Sequence, residues 1–175
     1  MGCSSRSDSP VPDEPLSMSW PWLVAAVFFI ANQLFHSVYA KSSEKRHHRV
    51  MRLFRFCADR KHTQACSVYG HLLLFRGETD WHKQHGLGYL QVAAGQGEEK
   101  AALQYASAMI EQQYGVPCDD KLVIRLLKQA ALNANVLAAQ KLLDFLADRG
   151  LTDQISAQEV ERISLVADLA ELNIR

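Results

Sequence analysis

Cysteine is scarce in this 175-residue chain, and the four present, at 3, 57, 66 and 118, follow no repeating interval. Three of them lie beyond the N-terminal segment, an odd number that gives no disulfide framework and suits a reducing compartment. Neither sign of charge is in excess: nineteen Lys and Arg balance nineteen Asp and Glu. The global field therefore gives no reason to expect nucleic acid, and an electrostatic partner has to be argued from local patches. No Walker loop, no Gly-x-Ser-x-Gly elbow and no glycine-rich turn after a strand pattern occurs. Nothing nominates a catalytic group, a cofactor or a small-molecule substrate, and the expectation is a protein that is not an enzyme. At 48% apolar and 22% charged residues the composition is that of a chain able to bury a core.

Charge is also missing locally. Between Trp20 and Ala40 there is no Asp, Glu, Lys or Arg, and WPWLVAAVFFIANQLFHSVYA has about the length needed to cross a bilayer. Trp20, Trp22 and Tyr39 stand at its ends, where amphipathic rings favour the headgroup level. Asn32, Gln33 and His36 are polar interruptions. The sequence thus predicts a disordered segment over 1–19, a transmembrane helix over 20–40 and a basic juxtamembrane helix or linker over 41–63. In that linker Lys41, Lys45, Arg46, Arg49, Arg52, Arg55, Arg60 and Lys61 face only Glu44 and Asp59. The positive-inside rule places the basic side and everything after it in the cytoplasm. The alternative is a secreted or envelope protein cut after Val38-Tyr39-Ala40. Met1-Gly2-Cys3-Ser4-Ser5 approaches a lipidation motif but carries Arg6 where that motif wants Ser or Thr.

From about residue 64 the chain repeats. Alanines at 65, 102 and 139 are 37 apart, Ala93, Ala130 and Ala167 keep the interval, and so do the pairs Ala94 with Ala131 and Ala101 with Ala138. Leu72, Met109 and Leu146 recur in the same register, as do Leu73 and Ile110. Capping gives an independent check. Asp119 opens KLVIRLLKQAAL, and 37 residues later Ser156 with Glu159 forms a Ser-x-x-Glu box. In the first unit Thr79 or Asp80 takes this role. The map that follows has helices near 64–76, 81–94, 99–113, 120–132, 136–149 and 157–173, making three antiparallel pairs. Each pair is too thin to bury its own apolar side, so stacking must supply the core.

The stretch AALQYASAMIEQQYGVPCDDKLVIRLLKQAALNANVLAAQKLL resembles a Sel1-like repeat, a relative of the tetratricopeptide repeat. The likeness lies in its leading alanines, Gly115-Val116-Pro117 followed by Asp119, Lys128-Gln129-Ala130-Ala131 and the closing Ala138. Tyr69-Gly70, Ala93-Ala94 and Gly97 extend it to the first unit, where Gly77-Glu78-Thr79-Asp80 replaces the usual turn; Gly150 and Ala167 extend it to the third. The resemblance implies an all-α solenoid of about three helix pairs over 64–175 and an adaptor role. The expected function is a membrane-tethered scaffold binding a protein partner.

In such pairs the first helix tends to line the partner surface. Equivalent residues there change between units: Ser67, His71 and Leu74 become Gln104, Ala108 and Glu111, then Lys141, Phe145 and Asp148. Within each helix they lie at i, i+4 and i+7, on one face. They form the candidate partner-binding stripe, with Leu74 and Phe145 as apolar anchors; the rival reading is that these two cover neighbouring helices. Cys57, His62, Cys66 and His71 include zinc-ligating types but match no finger spacing, and His82 with His85 lacks an accompanying glutamate, so no metal is expected.

Overall fold

The computed structural model describes residues 21–37 and 44–172. Among them are eight α-helices and no strand: α1 (Pro21–His36), α2 (Glu44–Asp59), α3 (Thr63–Arg76), α4 (Asp80–Gly95), α5 (Glu99–Ile110), α6 (Asp120–Leu132), α7 (Val136–Arg149) and α8 (Ala157–Leu172). Each packs chiefly on its neighbours in sequence. This is a helical-repeat-like stack, in which stability is a chain of nearest-neighbour interfaces.

The alanine register is the core. Ala65, Ala102 and Ala139 are all buried, as are Ala93, Ala130 and Ala167, Ala94 and Ala131, and Ala101 and Ala138. A methyl group is the largest side chain that lets two helices of a pair approach along those lines. Leu87, Leu90, Leu127, Leu142, Leu146 and Ile163 fill the space between them. In the first pair the approach is closer still: α3 and α4 cross where Gly70 faces Gly86, and a Cβ on either glycine would sit 2.9 Å from the other's carbonyl oxygen.

The helix ends follow their capping residues. Asp119 Oδ1 accepts from the backbone N–H of Lys121 and Leu122, and Thr79 Oγ1 accepts from His82 N–H. Ser156 and Glu159 form the reciprocal box, with Glu159 N–H donating to Ser156 Oγ and Ser156 N–H to Glu159 Oε2. Lys128 Nζ lies 2.7 Å from Glu159 Oε1 and ties α6 to α8. With the Ser156 bonds it holds the Glu159 carboxyl below its ordinary value. That contribution is present above the ordinary carboxylate range and fades as pH falls through the lowered value. The helix expected over 99–113 stops at Ile110, because Gln112 and Tyr114 turn into the left-handed region at φ 50° and 53°. Gln84 Nε2 donates to the Tyr114 carbonyl, and Lys83 lies over its ring. These contacts to α4 pull the segment out of helical register.

In the N-terminal third the structure gives the expected transmembrane helix no support. Helix α1 has 16 residues, about 24 Å at the α-helical rise, short of the roughly 30 Å hydrocarbon core. Among the described residues no helix is long and apolar enough to cross a membrane. In the structure α1 lies antiparallel on α2 as a further layer of the stack. Val24 and Ala31 are buried, Phe28 and Phe35 meet Phe54 edge-on at 5.9 and 5.7 Å, and Cys57 Sγ donates to the Val24 carbonyl. The segment expected to be a basic juxtamembrane helix or linker is mostly α2, whose Val50, Phe54, Cys57 and Ala58 form a buried stripe. Val24, Phe28, Ala31 and Phe35 pack on protein because α2 offers them a matching stripe, while Trp22, Leu23, Phe29 and Ile30 stay exposed. The segment 1–19, the Gly2-Cys3 motif and the cleavage motif at 38–40 lie outside the described residues.

Candidate functional site

Alternate helices α3, α5 and α7 carry eight of the nine stripe residues, with Glu111 at the C-cap of α5, and the structure divides them. Leu74, Ala108, Phe145 and Ser67 are buried. Leu74 and Phe145 belong to the main core and so cover neighbouring helices; they cannot serve as surface anchors. The periodicity put them on one face correctly, but the stack turns the inner edge of that face into the seams between units.

The first position of the stripe joins units. Ser67 Oγ donates to Glu98 Oε2 at 3.0 Å, and the same oxygen caps α5 by accepting from Ala101 N–H. Its equivalent in the third unit, Lys141, reaches back to α5, with Nζ 2.7 Å from Ser107 Oγ and 3.6 Å from Glu111 Oε1. The structure thus brings Glu111 and Lys141 together and does not join either to His71 or Asp148 by a polar contact.

What remains accessible is a mixed surface. His71 is half-buried, with Nδ1 2.7 Å from the Ser67 carbonyl oxygen and its ring stacked on Phe75 at 6.1 Å and 18°. Phe75 is 69% exposed. Gln104 and Lys141 are partly exposed, and Glu111 and Asp148 are exposed. An aromatic end on α3 therefore gives way to charged groups on α5 and α7. Phe75 escaped the i, i+4, i+7 template by one residue. Its signal is in the register, since Gln112 and Arg149 are polar where it is aromatic.

A second set of recesses lies on the other helices. Gln84, His85, Gly88, Tyr89 and Val92 of α4 line a shallow groove of about 400 Å³. Lys121, Ile124, Arg125, Lys128 and Gln129 of α6 line one of about 450 Å³. Residues 84, 88 and 92 are 37 positions before 121, 125 and 129, so these are equivalent places in two units, one apolar and one cationic. A larger cleft, about 720 Å³, opens where the start of α1 meets the turns before α3 and α5, between Pro21, Arg60, Lys61, Gln96 and Glu98. Gln96 Nε2 donates across it to the Lys61 carbonyl.

The thiols and imidazoles have structural partners. Cys66 Sγ donates to the Ala58 carbonyl, and burial, with the Asp59 charge adding to it, pushes its thiol up to about 11. Burial raises Cys57 as well. Both are protonated at neutral pH and poor nucleophiles or metal ligands. His62 Nδ1 accepts from Ala65 N–H and caps α3, and desolvation lowers its pKa, keeping the imidazole neutral for that bond. Nδ1 of His82 is engaged by Thr79 Oγ1 and that of His85 by the Trp81 carbonyl, with the His85 ring 3.7 Å from that of Trp81. Among the described residues no three His, Cys, Asp or Glu side chains group closely enough to hold a metal ion.

Among the described residues no nucleophile, base and oxyanion donors converge. Compared with known proteins, the chain matches no family model and no curated protein sequence, so its likeness to the Sel1-like repeat rests on the residues and the register themselves.

Proposed function

We propose that this protein is a Sel1-like helical-repeat scaffold that binds a protein partner across the exposed surface of α3, α5 and α7. The observation that carries the reading is a contrast within one 37-residue register. Positions 65, 102 and 139 keep alanine and are buried, while positions 75 on α3, 112 just past the end of α5 and 149 on α7 change from Phe to Gln to Arg. Packing explains the first set. The second is exposed and differs in chemistry from unit to unit, as a surface that recognises one extended partner does, although Arg149 also pairs with Asp120 of α6 at 3.3 Å.

Phe75 with His71 supplies an aromatic anchor, and Lys141 beside Glu111 supplies charge selection. Hot spots favour an exposed aromatic that becomes fully covered on binding. The test is capture of a partner by the full chain, followed by substitution. Phe75→Asp is expected to weaken capture by about tenfold or more, while Arg125→Glu on α6 leaves it unchanged and both variants keep wild-type helicity. Equal capture by wild type and Phe75→Asp would contradict the proposed surface.

A further inference from the structure

A helical-repeat array needs terminal elements with polar outer faces to stay soluble, and α8 has one: Gln158, Glu161, Arg162 and Asp168 are exposed. Helix α1, at the other end, contains no Asp, Glu, Lys or Arg. Val24, Phe28, Ala31 and Phe35 pack inward. On the opposite side Trp22, Ala26, Phe29 and Gln33 follow one another at intervals of four, three and four, the spacing of a seam between two helices. All four are exposed, with Leu23 and Ile30 along one flank.

The extent of this face is that of an interface. Trp22 is 65% exposed, Phe29 62%, Ile30 53% and Leu23 40%. A whole aromatic side chain offers about 150–250 Å², so these four present about 450 Å², and about 600 Å² together with Ala25, Ala26 and Gln33. Two such faces would remove about 1,200 Å² from water, where stable specific interfaces begin.

The face is also its own complement. Laid antiparallel across a two-fold axis, each layer of the seam sets a large side chain against a smaller one, Phe29 against the second copy's Ala26 and Trp22 against its Gln33. A parallel pair would instead oppose Phe29 to Phe29 and leave Ala26 facing Ala26. No charge stands on the helix to repel its copy.

We propose that two copies of this chain associate through the outer face of α1 as an antiparallel, two-fold helix pair. A lipid surface fits this face less well. A helix lying in the headgroup region carries Lys and Arg on its polar side; α1 has none, and Lys45, Arg49 and Arg52 of α2 lie on the side of that helix opposite Phe54, on which α1 rests. Head-to-tail stacking would set the charged groups of α8 against a charge-free face. The pairing does not rest on the partner surface of α3, α5 and α7.

The test is sedimentation equilibrium of the full chain in buffer free of lipid and detergent. The expected mass is twice the 19.7 kDa of one chain. Ala26→Phe puts two rings into each central layer and Phe29→Ala empties it, and each is expected to weaken association by about tenfold or more. Mixed in equal amounts, the two variants are expected to pair again at near wild-type strength, because each supplies the side chain that the other lacks. Neither substitution touches the inward stripe, so helicity stays that of the wild type. Direction is read by cross-linking: with Cys3→Ser and Cys118→Ser in place, Trp22→Cys and Gln33→Cys are expected to join on mild oxidation when mixed and not singly. The proposal is overturned by a wild-type chain that stays monomeric at every concentration measured, or by a dimer that both Ala26→Phe and Phe29→Ala retain. It is also overturned by a mixture of those two variants that stays monomeric, or by either cysteine variant cross-linking with itself.

Discussion

Replacing Gly86 by valine is expected to destabilise the first helix pair by about 3 kcal/mol, through overpacking at a backbone crossing. A Cβ there would meet the Gly70 carbonyl oxygen at 2.9 Å and the Leu74 backbone nitrogen at 3.0 Å. Neither is the end of a flexible side chain, so the helices must move apart. Separation uncovers Leu87 and Leu90 on α4 and Leu74 on α3, all buried in the native stack. Gly88, two residues along the same helix, gives the opposite expectation. Nothing lies within 4 Å of a Cβ there, so Gly88→Ala should stabilise α4 by about 0.5–1 kcal/mol through helix propensity alone. Urea unfolding of the two variants beside the wild type checks both signs. A Gly86→Val midpoint equal to that of the wild type would mean that α3 and α4 do not cross at this point.

Phe54→Ala is expected to cost about 3–5 kcal/mol, the usual range for removing a buried aromatic ring, and the loss should be local. Phe54 is fully buried in a small cluster with Ala31 and Val50, separate from the main core, and it is the ring on which both Phe28 and Phe35 rest. Stability in a stacked array passes from neighbour to neighbour. Hydrogen exchange of the variant should therefore accelerate through α1 and α2 while α6, α7 and α8 keep wild-type protection. Uniform acceleration along the chain would show that the N-terminal pair and the repeats unfold as one unit.

Much of this architecture is legible in the residues. The 37-residue alanine register predicts which positions are buried, and it does so in all three units. Asp119, Thr79 and the Ser156–Glu159 box mark helix starts because a cap is a local interaction between a side chain and backbone N–H groups a few residues away. The misses arise where distant parts of the chain decide the outcome. The end of α5 is set by Gln84 and Lys83 holding Tyr114, thirty residues away in sequence. The fate of α1 depends on whether a matching apolar stripe exists elsewhere, and the density of Arg and Lys in α2 disguises the one formed by Val50, Phe54 and Cys57.

The candidate surface was half legible. An i, i+4, i+7 stripe identifies a face but not its edge. Ser67, Leu74, Ala108 and Phe145 fall on the seam side and are covered, while Phe75, one position beyond Leu74, is the exposed ring. Which edge of a stripe survives as surface is fixed by the angle between successive pairs, and no single helix encodes that.

Hydrogen exchange of the wild-type chain, in aqueous buffer without lipid or detergent, tests most directly whether α1 is the first layer of a continuous helical stack. The account predicts eight protected segments matching α1 to α8, those from α2 onward separated by fast-exchanging turns at 60–62, 77–79, 96–98, 111–119, 133–135 and 150–156, with residues 24–36 protected like the rest. Rapid exchange throughout 21–36 beside protected repeats would contradict it, because α1 would then be unfolded in water and the stack would begin without it.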